Sequence, residues 1–359
     1  MKKLAILGTR GVPPNYGGFE TFAAELGKRL VARGHHVSVY CREQGPETWE
    51  GIHRIVLPSL SHKYLETVSH AALSALDALR RDFDVVLVCN AANAFVLPLL
   101  AAKRIRTAIN VDGIERKRRK WNILGRMVYA AGETMSVSFA DAVVADADVI
   151  ADYYREHYAA RTVTIGYGSD FPDEPDSDVL TRLGLQPGNY LLYVSRFEPE
   201  NNPLEVVQAY EKLEDAPPLV MLGKGLYAHG LVAELHRHAS DKILFPGALY
   251  GADYRTLQRR TLLYIQATEV GGTHPALIEA MGSGGAVLAH DTPENREVGG
   301  DSVGFFRFRP EESLSGTLRE WLASPGLRET YRTRARKRAA ERYSWKAITD
   351  AYEALFDSL

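Results

Sequence analysis

The chain has 359 residues, 45% of them hydrophobic, which exceeds the size at which one hydrophobic core usually stops growing, so two domains are expected. A formal net charge of −2 provides no global basic field of the kind that nucleic-acid-binding proteins carry. Cys41 and Cys89 lie in apolar runs without CxxC spacing, which indicates buried thiols and predicts a cytoplasmic protein. No stretch is long enough for a signal peptide or approaches the roughly 20 apolar residues of a membrane span.

Short runs of β-branched residues alternate with helical patterns along the first half of the chain, and this rhythm predicts βαβ units with a mostly parallel sheet. The predicted strands of this half lie within 3–8, 36–40, 52–57, 85–89, 107–111, 142–145 and 162–165. An acidic stretch with prolines, residues 167–178, is the best candidate for a linker. The rhythm then restarts, with predicted strands at 190–195, 219–222, 243–245, 262–266 and 286–290.

The sequence therefore predicts an α/β protein with two Rossmann-like, doubly wound domains, residues 1–170 and 171–340. Residues 341–359 form a final helix that could pack on either domain and is assigned to the first. In open α/β sheets, ligands bind beyond the carboxyl ends of the strands. Two such domains facing each other would form a central cleft between their strand-end loops. Ligand-binding and catalytic residues are therefore expected in those loops.

The loop after the first strand reads LGTRGVPPNYGGFETF, and its glycines match neither GxGxxG nor Walker spacing. A nicotinamide cofactor and NTPase chemistry are therefore not expected. Gly17 and Gly18 stand directly before a predicted helix, where bare backbone amides can approach an anion or a sugar. The other explanation for this pair is a tight turn that requires positive φ.

A second glycine pair occurs in TEVGGTHPALIEAMGSG, residues 268–284, again between a strand and a helix. The amides of Gly272, Thr273 and His274 would face a phosphate there. Glu279 is the one charged residue of an otherwise apolar helix, and a buried carboxylate is costly unless it is hydrogen-bonded or paired. Ligand hydroxyls would serve it, and so would a structural salt bridge.

A third junction, VSRFEPENNPLEVV at residues 194–207, places Arg196 directly after a strand of the second domain. A guanidinium at that position can reach a diphosphate in bidentate fashion. The alternative is a surface arginine paired with Glu198 or Glu200.

Together these stretches resemble the retaining glycosyltransferases of family 4, which have the GT-B architecture of two facing Rossmann-like domains with a nucleotide-sugar in the cleft. The resemblance covers the whole chain, and GTRGVPPNYGGFETFAAELGKRL, NVDGIERKRRKW and GGTHPALIEAM are similar to the bacterial rhamnosyltransferase-type subgroup. It implies transfer of L-rhamnose from dTDP-rhamnose, with retention, to a lipid-linked saccharide in surface-polysaccharide synthesis. A UDP- or GDP-sugar donor, a sugar-nucleotide epimerase and a non-catalytic nucleotide-sugar-binding homologue remain open.

Carried over to this chain, the resemblance also implies the site residues. The donor-binding set is Gly17, Gly18, Arg196, Asn201, Gly271, Gly272, Thr273, His274 and Glu279, and the catalytic set is Asp112, Arg196 and Glu269. Arg196 would clamp the diphosphate, and Glu269 is the candidate for the donor-sugar contact because the family's usual first glutamate position is Gly271 here. Asn201 stands where many members have lysine. Asp112 stands where many have histidine, and it either orients or deprotonates a hydroxyl or forms a β-turn before Gly113.

The basic run Arg116, Lys117, Arg118, Arg119 and Lys120, followed by Trp121, comes directly after Asp112 and is assigned to the acceptor side. Such a run is either a solvated face or a surface for anionic lipid and a lipid-linked pyrophosphate, with peripheral association at the cytoplasmic face of a membrane. Asp146 and Asp148 have DxD spacing but lie at a predicted helix start, where N-capping is expected. No metal and no cofactor are expected, since the nucleotide-sugar is a substrate, and no nucleic acid partner is expected.

Overall fold

The computed structural model describes residues 1–15, 17–60, 65–118, 122–170, 174–225, 228–309 and 313–359. The chain divides into two compact units. Unit 1 consists of Met1–Tyr167 together with Trp345–Leu359, and unit 2 consists of Gly168–Ser344. None of the described helices combines the length and the apolar composition that crossing a bilayer requires.

Unit 1 is built on an eight-stranded sheet in the order β3-β4-β2-β1-β5-β6-β7-β8. Its strands are β1 (Lys3–Leu7), β2 (His36–Cys41), β3 (Thr48–Trp49), β4 (Ile52–Val56), β5 (Val85–Cys89), β6 (Arg106–Asn110), β7 (Ala142–Ala145) and β8 (Val163–Thr164). All neighbours pair in parallel except β3, which runs antiparallel to β4 at one edge. The central strand β5 is buried along its whole length, as its uninterrupted apolar sequence predicts for a strand covered on both faces.

The helices of unit 1 lie on both faces of this sheet. They are α1 (Gly18–Ala32), α2 (Leu65–Ala78), α3 (Leu97–Ala102), α4 (Ile123–Phe139), α5 (Asp148–Tyr158) and, from the end of the chain, α14 (Trp345–Ser358). Helix α14 packs on α1: the rings of Trp345 and Tyr352 lie 6.5 and 5.3 Å from the ring of Phe22. The Tyr352 hydroxyl also accepts a hydrogen bond of 2.9 Å from the Asn110 amide at the end of β6.

Unit 2 contains a parallel six-stranded sheet in the order β11-β10-β9-β12-β13-β14. Its strands are β9 (Leu191–Val194), β10 (Leu219–Leu222), β11 (Ile243–Gly247), β12 (Leu263–Gln266), β13 (Val287–His290) and β14 (Gly304–Phe306). Its helices are α6 (Val179–Arg182), α7 (Pro203–Tyr210), α8 (His229–Arg237), α9 (Gly251–Arg260), α10 (Pro275–Gly282), α11 (Pro293–Gly299), α12 (Leu314–Ala323) and α13 (Pro325–Arg342). A buried apolar cluster that includes Tyr193, Leu219 and Trp321 fills the space between sheet and helices.

Both sheets have a carboxyl edge at which several loops meet. In unit 1 the loops after β1, β5, β6 and β7 meet there, and in unit 2 the loops after β9, β10, β12 and β13 do. The sequence-predicted site residues lie in these loops or in the first two turns of the helices that follow them.

Candidate functional site

In the loop after β1, two positions require glycine because neighbouring atoms leave no room for a Cβ. Gly8 and Gly11 have φ of +96° and +113°, and a Cβ at either position would lie 2.4 Å from the Cys89 carbonyl or 2.5 Å from Cys41 Sγ. Gly17, in contrast, has an extended backbone with φ of −164°. The tight-turn explanation is therefore wrong for Gly17, whose backbone conformation is open to any residue.

Glu20 in the first turn of α1 is a buried carboxylate that the sequence analysis left without a role. Its Oε1 accepts a hydrogen bond of 2.8 Å from the Arg10 backbone amide, which ties the start of the loop to the helix. Burial raises the pKa of the Glu20 carboxyl, and the hydrogen bond from Arg10 opposes part of that shift. A Cβ on Gly17 would lie 3.4 Å from Glu20 Oε2, so the glycine pair stands directly beside this carboxylate.

Asp112 follows β6 in a left-handed conformation, with φ of +59°. Its backbone amide donates to Oδ1 of Asn110 over 3.0 Å, and its side chain is half-buried. Asn90, at the end of the neighbouring strand β5, also has positive φ, at +74°. Such backbone conformations in residues other than glycine concentrate at functional sites, so these two adjacent strand ends are a candidate site of unit 1.

The electrostatics of unit 1 link Asp112 with two further carboxylates. Burial raises the pKa of the Cys89 thiol well above its ordinary value, and the charges of Glu20 and Asp112 raise it further. Burial likewise raises the pKa of Tyr167, with contributions from Asp112 and Asp146. The negative charges of carboxylates from different loops therefore raise the pKa of Cys89, at the end of β5, and of Tyr167.

The expected N-capping by Asp146 or Asp148 is wrong. The N-cap position of α5 is Ala147, which has no side-chain oxygen, and Asp148 is the first helical residue. Asp146 is buried before the cap.

Two arginines of the basic run, Arg116 and Arg118, form ion pairs within unit 1. Nε of Arg116 lies 3.4 Å from a carboxylate oxygen of the buried Glu133, and its guanidinium also donates to the Tyr153 hydroxyl. Arg118 is buried and forms an ion pair with Glu115. The side chain of Lys117 and all of Arg119, Lys120 and Trp121 lie outside the described residues, and the acceptor-side role of the run stays a prediction.

In unit 2, Arg196 stands in the loop that follows β9. Asn201, predicted as a donor contact, is buried, and its amide donates to the Arg196 carbonyl over 2.7 Å. The Tyr193 hydroxyl donates to the Asn201 carbonyl over 2.8 Å. In this arrangement Asn201 braces the backbone that carries the guanidinium.

The loop after β12 contacts this arginine loop. The backbone amide of Glu269 donates to the Glu200 carbonyl over 2.9 Å. Gly271 is required by close packing, because a Cβ there would lie 2.5 Å from Nε2 of His274. The His274 ring is held from its other nitrogen, 2.9 Å from Oδ1 of Asn295. His274 is the N-cap of α10, and Gly272 and Thr273 lie buried just before it.

Glu279 lies in the second turn of α10 and is half-buried. It accepts a hydrogen bond from the Tyr254 hydroxyl on α9, and that hydroxyl in turn accepts one of 2.9 Å from Nε2 of Gln258. Burial raises the pKa of Tyr254 well above its ordinary value, and the charge of Glu279 adds to the rise. The carboxylate is thus oriented by a phenol that remains protonated.

Lys224 is a further candidate site residue, which the sequence pattern did not single out. Strands β9 and β10 pair with Val194 opposite Leu222, so Arg196 and Lys224 each stand two residues beyond the same register pair. The Phe197 amide donates to the Lys224 carbonyl over 3.1 Å, which continues the pairing past the strand ends. The backbones of Arg196 and Lys224 therefore lie next to each other just beyond the ends of two paired strands.

The predicted residues fall into two groups. Gly17, Gly18, Asp112 and the basic run belong to unit 1, and the predicted residues from Arg196 to Glu279 gather at the carboxyl edge of unit 2. Among the described residues, no three His, Cys, Asp or Glu side chains are grouped so as to hold a metal ion.

Comparison with known proteins identifies both halves of the chain. Residues 16–170 match the model of glycosyltransferase family 4, and residues 183–338 match that of glycosyl transferases group 1. The α-monoglucosyldiacylglycerol synthase of Streptococcus pneumoniae is 24% identical over 204 residues, which are 53% of this chain and 46% of the relative. The match thus spans about half the length of that curated relative.

Solved structures with similar folds cover the whole chain. Sucrose-phosphate synthase from Thermosynechococcus elongatus has a TM-score of 0.84 at 17% identity, with all of both chains covered. Anabaena HepE in complex with UDP-glucose has a TM-score of 0.82 at 17% identity, again with full coverage of both chains.

The fold and the two family matches define a GT-B protein made of two Rossmann-like α/β domains, which confirms the fold class predicted from the sequence. The chain belongs to the GT-B glycosyltransferases, with a family 4 domain followed by a group 1 domain.

Proposed function

We propose that the protein transfers a sugar from a nucleotide-sugar donor to a saccharide acceptor and that unit 2 binds the donor. The observation that carries this proposal is the placement of Arg196 and Lys224 just beyond two paired strand ends. The Arg196 loop is hydrogen-bonded to the loop that contains Gly271 and Gly272, and Glu279 lies about one turn into the helix that follows this second loop. A nucleoside diphosphate needs this combination: cations and bare amides for the phosphates and a carboxylate for sugar hydroxyls. Anabaena HepE, which has a similar fold, has a crystal structure in complex with UDP-glucose.

The proposed mechanism follows from the leaving group, which is the nucleoside diphosphate. When the bond between the sugar's anomeric carbon and the diphosphate oxygen breaks, negative charge develops on the diphosphate, and Arg196 with Lys224 stabilises it. Lys224 supplies the second cation that Asn201 does not. A bond then forms between the anomeric carbon and the acceptor oxygen, with retention, and the acceptor proton passes to a donor phosphate oxygen. Asp112 orients the hydroxyl or assists in removing its proton. No metal is used in this scheme.

For the donor we propose dTDP-L-rhamnose, and for the acceptor a lipid-linked saccharide of bacterial surface polysaccharide, on the resemblance of three segments to rhamnosyltransferases. A UDP- or GDP-sugar is the second candidate, favoured by the UDP-glucose complex of HepE. The experiment is a thermal-shift panel of dTDP, UDP, GDP and ADP, followed by transfer assays with the sugar nucleotide of the base that binds. If none raises the melting temperature at millimolar concentration, the donor site is refuted. Binding without transfer to any lipid-diphosphate saccharide would favour a binding protein.

Glu279→Gln should weaken nucleotide binding about 10- to 100-fold, because a charge-assisted hydrogen bond to the sugar ring becomes a neutral one. Isothermal titration of the nucleotide found in the panel measures this change. Tyr254→Phe is the matched control: it removes the hydroxyl that donates to Glu279 but leaves the carboxylate in place, so its effect should be smaller. Equal affinity of Glu279→Gln and the unchanged protein would make Glu279 a structural carboxylate.

A further inference from the structure

The first half of α4 is the least buried part of that helix. Between Ile123 and Ala131 no residue is buried, and the first buried residue is Gly132. At Gly132 the helix lies so close to the segment after β5 that a Cβ would be 2.3 Å from the Ala91 carbonyl oxygen. Oδ1 of Asn122 caps this end of the helix by accepting a hydrogen bond of 2.9 Å from the Gly125 amide.

This half of the helix is apolar. Ile123, Leu124, Met127 and Val128 are 78, 69, 63 and 52% exposed. Spacings of three and four residues connect Ile123 with Met127 and Leu124 with Met127 and Val128, so the four side chains are neighbours on the helix surface. Exposed apolar groups of this kind mark a surface that another molecule covers.

The charge of the sequence segment that contains this face indicates which kind of molecule binds to it. Residues 116–132 contain six Lys or Arg residues and no Asp or Glu. Arg116 and Arg118 pair with Glu133 and Glu115 within unit 1, whereas Arg126 is exposed on the helix itself. A second copy of the chain packed face to face would bring these like charges together, which opposes a symmetric dimer.

We propose that the first half of α4 is a membrane-docking element: Ile123, Leu124, Met127 and Val128 enter the interface of a lipid surface whose anionic headgroups attract Arg126 and the basic residues that precede the helix in the sequence. An amphipathic or apolar helix end flanked by basic residues binds such surfaces through buried apolar area plus electrostatic attraction. The inference deepens the proposed function, since it would hold the enzyme at the surface where a lipid-linked acceptor resides.

The test is co-sedimentation of the full chain with phosphatidylcholine vesicles that contain or lack phosphatidylglycerol. Binding is expected to the anionic vesicles only, and to weaken with added salt as the Debye length shortens. The triple variant Ile123→Gln, Leu124→Gln, Met127→Gln should reduce partitioning at least about tenfold, because three apolar side chains no longer enter the interface. The matched control is Leu73→Gln with Leu76→Gln on α2, two leucines that are 39 and 48% exposed.

Three outcomes would overturn the inference: no binding of the unchanged protein to anionic vesicles, equal loss in the α2 control, or a dimer in light scattering that the triple variant converts to monomer. Donor binding is measured on the same samples without lipid. The triple variant should bind the nucleotide as the unchanged protein does, so failure of the membrane inference and failure of the donor-site proposal are distinguishable.

Discussion

Gly271 and Gly17 both stand just before a helix, yet an added methyl group would meet different surroundings at the two positions. At Gly271 it would lie 2.5 Å from Nε2 of His274, whose ring the hydrogen bond with Asn295 holds in place. Gly271→Ala should therefore lower the free energy of unfolding by about 1–3 kcal/mol, the usual cost of overpacking. Urea unfolding followed by circular dichroism measures this difference.

Gly17→Ala is the matched control. Among the described residues outside its immediate chain neighbours, the added Cβ would contact Glu20 Oε2 alone, at 3.4 Å, and the extended backbone accepts an alanine. The free energy of unfolding should stay within about 0.5 kcal/mol of the unchanged protein. Equal destabilisation by the two substitutions would contradict the assignment of Gly271 to close packing with His274.

His70 on α2 is a buried histidine whose titration should govern acid stability. Its Nε2 donates to the Cys41 carbonyl over 3.1 Å, and Nδ1 has no hydrogen-bond partner in the described part of the chain. Burial lowers the pKa of His70 from 6.5 to about 4. The folded state thus disfavours the charged ring, and the stability present above pH 6.5 is lost as the pH falls towards 4.

Between pH 7 and pH 5 this single group should cost about 2 kcal/mol of the free energy of unfolding. His70→Gln keeps a donor for the Cys41 carbonyl but does not titrate. Urea unfolding at pH 7 and pH 5 should show a smaller loss in the variant than in the unchanged protein. An identical pH dependence in both proteins would place the acid sensitivity elsewhere.

At single residues, the sequence pattern pointed to Arg196 because it directly follows a strand, and to Glu279 because it is the one charged residue of an apolar helix; their roles stay predictions. Of the two explanations left open for Gly17, the tight turn is wrong, because φ depends on the course of the whole loop. The sequence pattern overlooked Lys224, whose relation to Arg196 comes from the register of β9 against β10. Register between strands nearly thirty residues apart is a tertiary property that no local pattern contains.

Among the elements, strands with continuous apolar sequence were predictable within one or two residues, as β5 and β10 show. Two strands were missed. Thr48–Trp49 has two residues and Gly304–Phe306 has three, which is too short for any periodicity. Both lie at sheet edges, where pairing with a neighbour rather than local propensity makes the strand.

Helix α14 contributes buried aromatic surface to unit 1, and its main contact should be measurable. Tyr352 is fully buried between Phe22 and the Asn110 amide. Tyr352→Ala should lower the free energy of unfolding of unit 1 by about 3–5 kcal/mol, through the cavity left and the unpaired amide.

The matched control for that substitution is Tyr250→Ala, which removes the same side chain from a site that is 40% exposed in unit 2. Because this side chain is much less buried, its removal should lower the free energy of unfolding by clearly less than Tyr352→Ala does. Urea unfolding of both variants checks the pair of predictions. A small effect at Tyr352 would mean that α14 is dispensable for the stability of unit 1.

For the whole molecule, the proposal that unit 2 binds the donor predicts unequal stabilisation of the two units. Unit 2 contains a single tryptophan, Trp321, while Trp345 belongs to unit 1. A nucleotide at about 100 times its Kd stabilises the unit that binds it by about 2.7 kcal/mol. With fluorotryptophan labelling, the urea midpoint of the Trp321 resonance should rise and that of Trp345 should not.

The resonance of Trp345 serves as the internal control, since both signals come from one sample. A rise in the Trp345 midpoint alone would contradict donor binding by unit 2. Equal rises would mean that the two units unfold together, and the Arg196→Ala variant, which should abolish the rise, then tests the site directly.

Because Met1–Tyr167 and Trp345–Leu359 form one unit, the whole of unit 2 is inserted within the chain of unit 1. During synthesis, residues 1–167 leave the ribosome first, but the helix that covers Phe22 emerges only after residues 168–344. At ordinary elongation speeds this delay lasts roughly 10–35 s. Throughout it, the nascent first unit exposes the apolar face of α1, which makes it a client for chaperones until the last residues emerge.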